Sequence, residues 1–94
     1  MTPMTHPLDA ARRRWLSGLE AAYHGAPSAD TALAFARGCW MCGEYDAAIA
    51  AFEEAARRAP DQVEHALALV RAASMLGLRD LEDATLEAAR ARHP

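Results

Sequence analysis

The chain has no lysine, and all ten of its basic residues are arginine. That bias reflects a GC-rich genome rather than a chemistry. It gathers no strongly basic face, and the net charge of −3 at pH 7 is mild. Nucleic acid is therefore not expected as a partner. Valine and isoleucine together supply only 3 of the 94 residues, whereas alanine supplies 24. So few β-branched side chains exclude most β architectures and favour closely packed helices. No apolar run approaches the roughly 20 residues of a membrane span. The N-terminal stretch also lacks the apolar core of a secretory signal. These absences predict a cytoplasmic protein with no membrane contact. Ninety-four residues allow one small domain whose core lies near the lower practical limit.

Little in the chain could carry catalysis. There is no paired-carboxylate, nucleophile-and-base or glycine-rich phosphate-loop pattern. The two cysteines form a single C-x-x-C, Cys39-Trp40-Met41-Cys42. A redox pair would sit at a helix N-terminus, where the dipole lowers a thiol pKa, but this one falls at a helix C-terminus. A metal site would need two further ligands. The four histidines, His6, His24, His65 and His93, are scattered without ligand spacing. Cys39 is therefore read as a small core residue. The run Arg12-Arg13-Arg14 is read as a solvated helix face. Asp80, Glu82 and Asp83 form an acidic first helical turn favoured by the macrodipole. No enzyme activity, cofactor or metal is expected.

What is present is helical periodicity. Leu33, Phe35, Ala36 and Cys39 recur at steps of three and four, and so do Ala48, Ile49, Phe52, Ala55 and Ala56. Between the two sets lies Gly43, placed as a left-handed helix cap. Asp46 is placed to cap the second helix. Pro60 ends the pair by excluding helical geometry at Ala59. A shift of 34 residues lays this unit on the next one. Gly43 then falls on Gly77 and Pro60 on Pro94, with 12 identities over 32 aligned positions. Arg37 and Met41 recur as Arg71 and Met75. The second copy is degenerate, with Arg79 for Tyr45 and Glu82 for Ala48.

The first unit resembles the tetratricopeptide repeat, a helix-turn-helix of 34 residues. Its structural positions match Ala36, Gly43, Tyr45, Ala48, Phe52, Ala55 and Pro60; Gly77 and Pro94 match in the second unit. Two positions depart: Ala32 stands where the family has tryptophan and Cys39 where it has tyrosine. Phe35, one turn from Ala32, is expected to fill part of that volume. The resemblance implies an all-α antiparallel helix-turn-helix solenoid of about five helices. Residues 1–7 are expected as a flexible N-terminal arm and residues 8–94 as one domain. Within it lie an N-terminal helix at 8–24, repeat 1 at 29–60 and repeat 2 at 63–94. The stripe Leu8, Ala11, Trp15, Leu19 and Ala22, widened by Leu16 and Tyr23, marks the first helix. The others are expected from Ala29 to Cys42, Asp46 to Arg58, Asp61 to Leu76 and Asp80 to Arg92. Ser28 or Asp30 would cap the second, and Asp61 with Glu64 would form a capping-box pattern on the fourth. Pairs Glu53–Arg57 and Glu54–Arg58 would support the third.

In this family the first helix of each repeat lines a concave face. Carried over, that implies a partner-binding groove of Leu33, Arg37, Trp40, Met41, Leu67, Arg71 and Met75. Members that clamp a C-terminal carboxylate use lysine and asparagine where this chain has Asp30 and Glu64, then Ala34 and Ala68, so that clamp is absent. The groove is instead apolar with an arginine pair, which suits an amphipathic helix or peptide of another protein. The bland alternative is that these side chains pack between helices. Helix five would leave Leu78, Leu81, Thr85, Leu86, Ala88 and Ala89 bare on one side. A second copy or another protein is expected to cover that end. The implied function is that of a small bacterial adaptor or chaperone. Two alternatives are a type III secretion chaperone for a needle or translocator subunit and an accessory domain or subunit of an enzyme assembly.

Overall fold

The computed structural model describes residues 7–94; 83% of these are helical, with no strand among them. Five helices follow in order: α1 (Pro7–Gly25), α2 (Ala29–Met41), α3 (Tyr45–Arg58), α4 (Val63–Met75) and α5 (Arg79–Arg92). The all-α helix-turn-helix architecture read from the sequence is the one observed. The arm placed at residues 1–7 lies outside the described residues, except for Pro7, the first residue of α1. Proline suits a first helical turn because its missing N–H would be unpaired there anyway.

The two hairpin turns are built alike. Gly43 has φ +77° and Gly77 φ +71°, the left-handed region that favours glycine. Glu44 N–H donates to the Cys39 carbonyl at 2.8 Å and Gly43 N–H to that of Trp40 at 3.1 Å. In the second turn Leu78 N–H donates to Ala73 at 2.9 Å and Gly77 N–H to Ser74 at 3.1 Å. Both are Schellman closures, which satisfy the last carbonyls of the preceding helix. Ala59, before Pro60, has left helical geometry at φ −130° and ψ 62°.

The helix starts differ from the sequence reading. Ser28 caps α2, its hydroxyl accepting from Thr31 N–H while the Thr31 hydroxyl accepts from Ser28 N–H, each at 3.0 Å. Asp46 does not cap α3: Glu44 holds the cap position without a side-chain bond, and Asp46 lies one residue inside the helix. Helix α4 begins at Val63 rather than Asp61, again without a side-chain cap. Asp61 instead accepts from Arg92 Nε at 3.2 Å, tying the start of α4 to the end of α5. An aspartate in the first turn is favoured by the dipole whether or not it caps, so sequence alone does not separate the two roles. The pair Glu53–Arg57 is absent as a bridge. Glu54 takes both Arg57 and Arg58, the latter through Nε at 2.7 Å, because it lies one turn from each. Hydrogen bonds from both arginines hold its carboxyl below the ordinary carboxylate range.

Helix α2 pairs with α3 and α4 with α5, and α1 lies on α2 as α3 lies on α4. The result is a stack measuring 55 × 30 × 13 Å with a radius of gyration of 14.9 Å. A compact domain of this length would have about 12 Å. The extensive contacts run between elements adjacent in sequence, as in a solenoid. The core is correspondingly thin: Ala36, Cys39, Ala48, Ile49, Ala51, Phe52, Leu69 and Ala72 form one buried cluster. Ala32, where the family has tryptophan, is fully buried. Phe35 turns toward α1, stacking on Tyr23 with ring centroids 5.9 Å apart. A buried glycine sets how closely α1 approaches: a Cβ at Gly38 would stand 2.6 Å from Leu19 Cδ1 and 3.2 Å from Leu16 Cδ1.

Candidate partner-binding face

Inward positions on α2 are Ala32, Ala36 and Cys39, and on α4 His65, Leu69, Ala72 and Ala73. The opposite stripe of α2 carries Asp30, Ala34, Arg37 and Met41, all exposed. On α4 the exposed stripe is Glu64, Leu67, Arg71, Ser74 and Met75. Of the seven expected groove residues, five are thus exposed on these two helices: Arg37, Met41, Leu67, Arg71 and Met75. The other two, Leu33 and Trp40, are half-buried and pack against the core cluster. Trp40 also meets Tyr45 edge to face, with centroids 4.9 Å apart. Packing between helices therefore accounts for part of Leu33 and Trp40 but not for the methionines. Met41 is 72% exposed and Met75 73%. Two long, flexible apolar side chains in solvent at matching repeat positions supply adaptable contact surface.

Helices α2 and α4 come side by side at their N-terminal ends, where Asp30 Oδ1 lies 3.9 Å from His65 Nε2. That is beyond a hydrogen bond. His65 is 3% exposed, and neither of its ring nitrogens has a hydrogen-bond partner. Asp30 is almost fully exposed and belongs to the other repeat. Sequence reasoning set His65 aside with the other scattered histidines. The signal that locates it is its spacing of four from Leu69 and seven from Ala72, the inward stripe of α4.

The C-x-x-C is structural at its first member. Cys39 is 1% exposed, while Cys42 is half-buried beyond the last turn of α2. Burial pushes the Cys39 thiol up, and Cys42, Glu20 and Glu44 push the same way. A raised, enclosed thiol is a poor nucleophile and a poor ligand. Among the described residues no three His, Cys, Asp or Glu side chains gather as a metal would require. Arg12, Arg13 and Arg14 are exposed along α1. No helix among the described residues is long and apolar enough to cross a membrane.

Of α1's expected stripe, Leu16, Leu19 and Tyr23 turn inward, whereas Ala11, Trp15 and Ala22 are exposed. Helix α5 buries no residue fully. Its Leu81, Thr85, Leu86 and Ala89 are half-buried, and Leu78 and Ala88 are exposed.

Compared with known proteins, residues 29–72 match the family model described as tetratricopeptide repeat. The matched stretch runs from the start of α2 into the second half of α4 and contains Leu33, Arg37, Trp40, Met41, Leu67 and Arg71. Searches of curated proteins and of solved structures each returned no match.

Proposed function

Because the chain is a protein of the tetratricopeptide-repeat type, and such repeats are protein–protein interaction modules, we propose that it is a small non-catalytic adaptor or chaperone. Its partner is a helix or peptide of another protein, laid along α2 and α4 over Leu33, Arg37, Trp40, Met41, Leu67, Arg71 and Met75. The observation that carries this reading is the matched exposure of Met41 and Met75, 72% and 73%, at equivalent positions of α2 and α4. A soluble protein gains nothing from two such side chains in water, whereas a groove that accepts an amphipathic helix uses them as adaptable contacts.

Co-purification from the native host tests it. The wild-type chain should retain a partner that Met41→Glu/Met75→Glu loses, with the helical circular dichroism signal unchanged. Equal recovery by both proteins would refute this face. The recovered partner also sorts the two finer forms of the proposal. A secreted needle or translocator subunit would make the chain a type III secretion chaperone, and a catalytic subunit would make it an accessory to an enzyme assembly.

A further inference from the structure

Resting on the reading of α2 and α4 as the binding face, we propose that the partner is an amphipathic helix of a different protein with a set order of side chains along one face. That order is a cation, an acid about two turns away, and an apolar residue one turn further. The face itself carries the complementary order twice. On α2 it runs Asp30, Arg37, Met41; on α4, 34 residues later, it runs Glu64, Arg71, Met75, and all six are exposed. Seven residues of helix separate acid from arginine by about 10.5 Å, and four separate arginine from methionine by about 6 Å. The N-terminal ends of α2 and α4 are adjacent. Two carboxylates therefore lie at one end of the face, with the arginines and then the methionines further along each helix.

The arginines are placed for an intermolecular contact. Arg57 and Arg58 share Glu54, Arg92 bridges Asp61, and Arg12 approaches Asp9. Arg37 and Arg71, like Arg13, Arg14, Arg79 and Arg90, join no ion pair among the described residues, and these two alone of the six lie on the exposed stripes of α2 and α4. Three and four residues to either side of Arg37 stand Ala34, Leu33, Trp40 and Met41; around Arg71 stand Ala68, Leu67, Ser74 and Met75. No carboxylate lies within one helical turn to hold either guanidinium. A cation kept clear of its own helix's acids and bordered by apolar side chains is suited to a partner's carboxylate.

A second copy of this chain fits less well. Antiparallel packing that sets Asp30 on Arg71 of the second copy, and Arg37 on its Glu64, places Met41 opposite Pro60 and Met75 opposite Ala26. The two most exposed apolar side chains would then lie off the paired stretch.

Peptide titration of the full chain, read by fluorescence anisotropy, tests the order. The probes are helix-stapled peptides of roughly 16 residues, long enough to span the face. One pair carries Arg, then Glu seven residues on, then Leu four beyond, written in both chain directions. A second pair has the Arg and Glu exchanged. The better matched peptide should bind about tenfold tighter than its exchanged counterpart, as reversal of several exposed charge pairs allows. The variant Asp30→Arg/Glu64→Arg/Arg37→Glu/Arg71→Glu should invert that preference, and Arg37→Gln/Arg71→Gln should flatten it. Equal binding of both peptide types, lost only in Met41→Ser/Met75→Ser, would overturn the charge order and leave the face standing. No binding of any peptide up to about 1 mM, the weak end of specific recognition, would overturn the face and the proposal together. A wild-type dimer in sedimentation equilibrium that the charge variants abolish would assign the face to a second copy and overturn it as well.

Discussion

Phe52 is the largest side chain in the buried cluster, 6% exposed among alanines that offer little volume to refill a void. Phe52→Ala should therefore cost about 3–5 kcal/mol, a large part of the roughly 5–15 kcal/mol available to a small domain. Urea denaturation measures it, and a loss below about 1 kcal/mol would be that of a surface site. Cys39 tests burial by chemistry. Its raised thiol should stay unreactive toward a disulfide reagent in the native protein and become titratable on unfolding, while Cys42 reacts first. The same group gives a pH dependence. The folded chain keeps the Cys39 proton above the ordinary thiol value of 9.0, whereas the unfolded chain releases it there. This contribution to stability is complete below that value and is lost as pH rises past it. Stability that increased from pH 8 to pH 10 in Cys39-containing protein, relative to Cys39→Ala, would contradict the assignment.

Helix existence was readable from periodicity and from two glycines and two prolines at fixed offsets, because positive φ and a missing N–H are constraints few residues meet. Helix rotation was not always readable. On α1, Ala11, Trp15 and Ala22 form a stripe at helical spacing, and so do Leu16, Leu19 and Tyr23; the second faces α2, and of the first Trp15 reaches it through its ring edge at Gly38. Adjacent stripes are 100° apart on a helical wheel, and alanine fits inside or outside either. The binding-face positions were legible only through the repeat, since exposed methionine and arginine follow no packing rule. Gly38, which decides where α1 sits, gave no turn signal at all. Its Cβ would meet Leu19 Cδ1 at 2.6 Å, Leu16 Cδ1 at 3.2 Å and Trp15 Cη2 at 3.7 Å. A single methyl pushes on the movable end of Leu19 and adds about 1 kcal/mol of helix propensity against about 1–3 kcal/mol of overpacking. Gly38→Ala should thus range from neutral to about 2 kcal/mol destabilising. Gly38→Leu leaves no such room and should release α1. Amide exchange would show it: α1 loses protection while α2 and α3 keep theirs. Uniform loss across all five helices would mean that α1 is integral to one cooperative unit.

At the scale of the stack, the two outer helices present unlike surfaces. Helix α5 was expected to leave an apolar side bare. Its exposed positions instead include Asp83, Glu87 and Arg90 beside Ala84 and Ala88, while Leu81 and Leu86 are half-buried and Leu78 is 41% exposed. Charged positions of this kind let the outer face of α5 meet water. Helix α1 differs: its outward side holds Ala11, Ala22 and Trp15, the last 46% exposed with its far ring edge against Gly38. A large aromatic flanked by alanines makes a stickier surface than a leucine flanked by acids. Any self-association through the ends of the stack should therefore run through α1 more than through α5. Sedimentation equilibrium and apolar-dye fluorescence at tens of micromolar protein resolve this. Trp15→Glu should lower dye binding by about half or more, given how much apolar area one indole exposes, and should shift any dimer to monomer. Leu78→Glu should change both far less. The reverse ranking would return the association to the α5 side.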